Sequence, residues 1–264
     1  MILLPTVITL VWYGGWAYAL LITLAGFLAA SEYVQMLKAK AYGPSLLLVA
    51  AGGAVWLADA IWGLGEWLTP LVGAVLFGVT GWILARRRAD PQMKDPTAQW
   101  ALTLGGGLYL GIGCAFLIRL RALPDGLWWC LTAFPVVWIS ESMAYFVGKR
   151  WGRHKMAPTI SPGKSWEGYL AEVISGTLTG ALLGWVWPTV SADATSLNIW
   201  KGILVGIVVS SVTTAGDFFV SVIKREVGVK DSGKLIPGHG GIFDRIDSLL
   251  WTGWVTWLIA SLVT

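Results

Sequence analysis

Apolar runs approaching twenty residues, separated by short polar breaks, recur along the whole chain, and this alternation predicts its architecture. The runs lie at 2–13, 15–33, 44–60, 67–85, 98–118, 126–147, 167–187, 199–223 and 246–263. A helix needs roughly 20 residues to cross a hydrocarbon core of about 30 Å, and most of these runs suffice. The first is the exception, reaching only about 18 Å at 1.5 Å per residue. Gly14-Gly15 punctuate its join to the second run, which predicts a half-helix or one arm of a kinked pair. A transmembrane barrel would show short segments of alternating polarity instead, and the chain has none. The expectation is an all-α, polytopic integral membrane bundle of about 8–9 transmembrane helices. It forms one domain over 1–264, with N-terminal helices in 1–97 and the site-bearing helices and loops in 98–264.

Composition agrees with this pattern. Charged residues make up 13% of the chain, against about 25% in soluble domains, and the mean hydropathy is +0.67. Cys114 and Cys130 both fall inside apolar runs; a disulfide framework or zinc site needs more cysteines at closer spacing. The N-terminus lacks a basic segment and a small-residue cleavage site, so no cleavable signal peptide is expected. Many of the 18 Trp suit interfacial belts, and Trp251, Trp254 and Trp257 form one helical stripe for packing or lipid contact. The net charge of +4 is a weak sign of nucleic-acid binding, which is not expected. Loops 34–43, 86–97, 148–166 and 224–245 hold 16 of the 19 Lys and Arg, the opposite set only Arg119, Arg121 and Lys201. Cytoplasmic loops carry the excess of Lys and Arg, so the first set is expected to face the cytoplasm from a cell (inner) membrane. Arg86-Arg87-Arg88 then reads as a topology anchor beside anionic headgroups.

The charges gather in two places. The denser is 221–247, where Lys224, Arg225, Lys230, Lys234, His239 and Arg245 alternate with Glu226, Asp231, Asp244 and Asp247 among helix-breaking Gly and Pro. Cations, carboxylates and bare backbone together are what a site for metal-bound phosphates needs. Asp217, Glu141, Glu172 and Asp59 lie inside or at the ends of apolar runs. Intramembrane carboxylates usually face a cavity or a partner; for Asp59, near the non-cytoplasmic side, a structural role is expected. Asp244 and Asp247 are one helical turn apart and share a face. With Asp217 they offer three hard oxygen donors, suited to Mg²⁺, which takes one or two carboxylates plus phosphate and water. Pro237 to Gly241 would bring backbone amides close to a phosphate, with His239 a possible donor. The second polar stretch, 148–168, contains Gly163-Lys164-Ser165, but Pro158 stands where a P-loop requires its first Gly. Gly105-Gly106-Gly107 reads as close helix packing.

The stretch from Ser221 to Asp247 resembles the motif of the phosphatidate cytidylyltransferases, S-x-x-K-R-x-x-x-x-K-D-x-G-x-x-[LIF]-P-G-H-G-G-[LIVMF]-x-D-R-x-D, and matches it throughout. The similarity extends through Gly216-Asp217, Ser161-Pro162 with Lys164 to Gly168, and Ala144-Tyr145 with Gly148-Lys149. Glu141-Ser142 stand where the family usually has Asp-Thr, and Gly163 replaces a frequent Lys. The resemblance implies a nucleotidyltransferase of phospholipid biosynthesis that joins CTP and phosphatidic acid into CDP-diacylglycerol and pyrophosphate. It implies Mg²⁺ on Asp217 and Asp244, with a second metal ion left open. Lys224, Arg225, Asp231, Asp247 and Glu141 are implied as further catalytic residues. Ser161, Lys164, Lys230, His239, Gly240, Gly241, Arg245 and Ser221 are implied for substrate. Partners would be the two substrates, membrane lipids and a second copy in a homodimer.

Other readings fit less well. Intramembrane carboxylates also suit a transporter or channel, but transporters show paired repeats and broken helices at matching positions, whereas here the polar residues concentrate near one end. Enzymes that use CDP-alcohols carry D-G-x-x-A-R followed by spaced Asp residues, which is absent. A CTP-dependent lipid-alcohol kinase is a weaker alternative.

Overall fold

The computed structural model describes residues 3–40, 42–191, 193–194, 196–233 and 240–263. Among them are nine α-helices: α1 (Leu3–Tyr13), α2 (Gly15–Ala39), α3 (Leu46–Trp62), α4 (Leu68–Ala89), α5 (Pro96–Ala122), α6 (Gly126–Trp151), α7 (Trp166–Val190), α8 (Ile199–Glu226) and α9 (Phe243–Val263). Each expected apolar run is a helix. Seven are long and apolar enough to cross a membrane, α4 together with the short 3-10 turn before it, and α3 is a shorter apolar helix of 17 residues. The 11 residues of α1 span about 16 Å. It ends where Gly14 and Gly15 turn to φ +63° and +54°, a backbone that glycine adopts without a Cβ penalty. His154 lies outside this helical pattern: after it comes a two-stranded antiparallel hairpin, β1 (Lys155–Ala157) with β2 (Ser161–Ser165). The sequence reading had not anticipated it.

The chain forms two compact units that interleave along the sequence. One comprises Met1–Tyr18, Arg119–Val222 and Asp247–Thr264, the other Ala19–Ile118 and Ile223–Ile246. The boundaries fall inside α2, α5, α8 and α9, so no linker separates the units.

In the first unit, α6 and α7 pack along one another and β2 lies against both. A seam of small residues joins α7 to α8. A Cβ on Gly180 would meet the carbonyl oxygen of Gly202, one on Gly184 would come 2.9 Å from Gly202 Cα, and one on Gly176 would come 2.6 Å from Ser210 Cβ. Small residues let backbones approach this closely where lipid supplies no hydrophobic drive between helices. Arg121 donates to the Val11 and Trp12 carbonyls at 2.7 and 3.1 Å, capping the C-terminal end of α1. Lys201 likewise donates to the Ser196 and Val263 carbonyls, both at 2.8 Å.

The second unit repeats the device. Gly107 and Gly111 of α5 lie against Gly52 and Gly53 of α3, and Gly106 against the Tyr33 ring of α2, the packing role expected for the Gly105–Gly107 run. Asp59 is buried and accepts the N–H of Leu64 at 3.1 Å beyond the end of α3, a structural role as expected.

Candidate active site

In the first unit the hairpin brings Lys164 to Asp217. Trp166 N–H donates to the His154 carbonyl at 2.9 Å, and His154 Nδ1 lies 2.6 Å from Glu167 Oε1. Together these contacts fasten the base of the hairpin to the start of α7. Ser165 caps that helix, accepting the Gly168 N–H at 3.2 Å, so its hydroxyl serves an N-cap and not a P-loop. From β2 the Lys164 ammonium reaches Asp217 Oδ2 at 2.8 Å and lies 4.9 Å from the centroid of the Phe218 ring. The other carboxylate oxygen of Asp217 accepts from Ser221, one turn on, at 3.2 Å. About a third of the Asp217 side chain is exposed. Just before it, Gly216 lets α9 approach: a Cβ there would come 2.6 Å from Trp251 Cδ1 and 2.9 Å from the Asp247 carbonyl oxygen. Asp247 is buried and accepts from Ser248 N–H at 2.8 Å. Deeper in α7, buried Glu172 accepts from Thr214 at 2.8 Å and Thr213 at 3.4 Å. Glu141 and Ser161 are half-buried in the same unit.

In the second unit, Lys224 and Asp244 form an ion pair of 2.6 Å whose side chains are only 11% and 7% exposed. The second oxygen of Asp244 accepts from Ser232 N–H at 2.7 Å, Ser232 hydroxyl at 3.0 Å and Gly241 N–H at 3.2 Å. Gly240 has φ +81°, and a Cβ on it would stand 2.9 Å from that carboxylate. Glycine is therefore required there twice, by conformation and by space. Arg225 donates to the Val229 carbonyl at 3.1 Å, while Lys230, Asp231 and Arg245 are exposed. Lys40 of α2 pairs with Glu226 at 2.7 Å, a hydrogen bond that holds the lysine pKa above its ordinary value. His239 and Lys234 lie outside the described residues.

Both of the expected metal-binding aspartates thus carry a lysine ammonium. Among the described residues no group of three or more His, Cys, Asp or Glu stands ready to hold a metal. Each carboxylate is instead one hard donor with a cation beside it.

Comparison with known proteins bears on this arrangement. A model of the cytidylyltransferase family matches residues 1–263. The chain belongs to the cytidylyltransferase family. Among its relatives is a phosphatidate cytidylyltransferase of Haemophilus influenzae, 44% identical over 126 residues, which are 47% of this chain and 42% of that protein. One of Staphylococcus haemolyticus is 41% identical over 142 residues, 54% of this chain and 52% of that protein. In these two the chain spans about half the relative's length. A phosphatidate cytidylyltransferase of Synechocystis is 31% identical over 270 residues, covering 90% of this chain and 86% of its own length.

The contacts of the second unit also bring forward a residue the sequence reading passed over. Glu32 of α2 is 7% exposed, and its carboxylate accepts from Ile242 N–H at 3.0 Å, Phe243 N–H at 2.9 Å and the Ser232 hydroxyl at 2.9 Å. The signal was present: a carboxylate at the end of an apolar run needs a partner.

Proposed function

We propose that the chain is a phosphatidate cytidylyltransferase, transferring CMP from CTP to phosphatidic acid to give CDP-diacylglycerol and pyrophosphate. The observation that carries this reading is the complete motif over 221–247, in which Lys224 and Asp244 are paired at 2.6 Å. The names of the relatives support it.

The nucleophile is a phosphate oxygen of the lipid, which is ionised near neutral pH, so no general base is needed. It forms a bond to the α-phosphorus of CTP as the bond to pyrophosphate breaks. The obstacle is repulsion between two anions and the charge that builds on the leaving group, which preorganised cations offset. Lys164 and Lys224 supply two such cations on flexible stems, each at rest against a carboxylate. Arg225, Lys230, Arg245 and His239 are assigned to the triphosphate and the lipid phosphate, with Ser161, Ser221, Gly240 and Gly241 beside them. Glu141, Asp231 and Asp247 are assigned as orienting carboxylates.

The donor set fits Mg²⁺ in kind, since Asp217 and Asp244 are hard oxygen donors already holding a cation, and the ion takes its remaining ligands from phosphate and water. An ion at either residue would neutralise charge on the phosphates and on the departing pyrophosphate. The polar residues face the cytoplasm from the inner membrane, as the Lys and Arg bias supports, and the active protein is a homodimer.

The test is direct. Purified protein in mixed micelles incorporates label from CTP into chloroform-soluble lipid only with phosphatidic acid and Mg²⁺ present, and chelation stops it. Folded protein that incorporates no label with Mg²⁺, Mn²⁺ or Co²⁺ overturns the proposal.

A further inference from the structure

We infer that Glu32 is a positioning residue for the transfer reaction, acting on Asp244 through the hydroxyl of Ser232. The inference rests on the function proposed above. Four observations within one compact unit carry it.

Glu32 first holds the start of α9. Its two carboxylate oxygens take the N–H groups of Ile242 and Phe243, donors that a helix leaves without intrahelical partners. A carboxylate is the favoured group at that end because the helix dipole adds to the hydrogen bonds. The next residue of α2 fixes the side chain of Phe243: the ring of Tyr33 meets it edge-on at 6.1 Å, as does Tyr109 of α5 at 6.3 Å. Phe243 is 1% exposed. Backbone and ring of the residue preceding Asp244 are therefore both tied to Glu32-Tyr33.

The second contact is more informative. Ser232 Oγ lies 2.9 Å from Glu32 Oε2 and 3.0 Å from Asp244 Oδ2. A hydroxyl has one hydrogen to donate, so it can serve only one of the two carboxylates at a time. Glu32 and Asp244 share that donor, and anything that draws Asp244 towards a new cation alters the balance. Space around this bridge is reserved as well. A Cβ on Gly241 would collide with Glu32 Oε2 and Ser232 Oγ, and one on Gly233 would come 2.5 Å from Glu32 Oε1.

Among the described residues, no hydrogen bond joins Glu32 to the Lys224 ammonium or to the Asp244 carboxylate directly. The effect of Glu32 on the reaction must pass through Ser232 and through the start of α9. Groups that orient a ligating carboxylate typically change metal affinity or activity by about 10–100-fold when removed.

The experiment uses full-length protein in mixed micelles with Glu32→Gln, Ser232→Ala and the double variant. It measures kcat, KM for CTP, and Mn²⁺ affinity from the electron-paramagnetic-resonance signal of the free ion. Glu32→Gln places an amide against at least one N–H donor, and kcat and Mn²⁺ affinity fall by about 10–100-fold. Ser232→Ala keeps the Ile242 and Phe243 bonds and cuts only the bridge, so it moves both readouts in the same direction with little change in melting. The double variant is no worse than Glu32→Gln, because the two residues act in series. Single variants that melt lower yet keep kcat and Mn²⁺ affinity within about twofold of wild type overturn the inference and leave Glu32 a helix cap. So does full additivity in the double variant. If Glu32→Gln does not accumulate as folded protein, wild-type behaviour of Ser232→Ala overturns it alone. Wild-type protein that makes no lipid product from CTP sinks the functional reading itself; active wild type with unaffected variants sinks only the role of Glu32.

Discussion

Replacing Lys224 with Met tests the buried ion pair. The ammonium and the Asp244 carboxylate lie 2.6 Å apart with 11% and 7% of their side chains exposed, so water screens them little. Methionine keeps the length and apolar stem of lysine but strands the carboxylate. Asp244 then retains the N–H groups of Ser232 and Gly241 and a share in the Ser232 hydroxyl. Removing one partner of a buried pair costs about 3–5 kcal/mol, and the surviving donors put this case near about 3 kcal/mol. At roughly 2–4 °C per kcal/mol for a chain of this size, the melting temperature drops by about 6–12 °C. The protein carries its own reporters for the measurement. Cys114 and Cys130 are free and buried, one in each compact unit, so a thiol-reactive dye reads them on unfolding. With Cys130 changed to Ala, Cys114 reports the unit that contains Lys224 and Asp244. Adding Asp244→Asn to Lys224→Met removes the stranded charge and recovers part of the loss. A Lys224→Met protein that melts together with wild type in this background refutes the buried pair.

Two further outcomes follow from the same geometry. Asp217→Asn abolishes turnover while changing the melting temperature little, because the Lys164–Asp217 pair is partly exposed and such pairs contribute about 0–1 kcal/mol; wild-type turnover removes Asp217 from the site. Gly180→Ala drives a methyl into the Gly202 carbonyl and destabilises the first unit by about 1–3 kcal/mol, read through Cys130 alone. Gly163→Ala, whose Cβ meets open space, serves as the silent control.

The helices were legible because a bilayer leaves few choices: a backbone crossing it must satisfy its hydrogen bonds internally, so apolar run length nearly dictates the element. The hairpin was not legible. Its segment contains Pro158, Pro162 and Gly163 and reads locally as a loop. Its base is fastened from outside the strands, by the His154–Glu167 contact and by the capping of α7 by Ser165. The resemblance named Asp217, Lys224 and Asp244, but spacing could not say which cation rests on which carboxylate. Lys164 meets Asp217 only because β2 carries it there. Glu32 was hardest to see, since its partners lie 200 to 211 positions away along the chain and only the packing of α2 against the start of α9 brings them together.

Glu32, Asp217 and Asp244 are held by donors of two kinds, some fixed by the fold and some able to move. Glu32 is held by two backbone N–H groups and a hydroxyl, donors whose positions are set by the fold. The two N–H groups cannot leave without unwinding the start of α9, and only the Ser232 hydroxyl, shared with Asp244, can turn away. Asp217 and Asp244 each carry a lysine, Asp244 in addition to the N–H groups of Ser232 and Gly241. These ammonium groups ride on flexible four-carbon stems and exchange one anion for another at small cost in backbone strain. A phosphate can compete for those lysines as it cannot compete for the amides on Glu32. On the function proposed above, the carboxylates assigned to the metal are those with a counter-ion that can move, whereas Glu32, assigned to positioning, rests on amides that cannot. This division predicts where substitutions act: changes at the partly exposed Lys164–Asp217 pair fall on turnover, whereas changes at the buried Lys224–Asp244 pair and at Glu32 fall on turnover and on folding together.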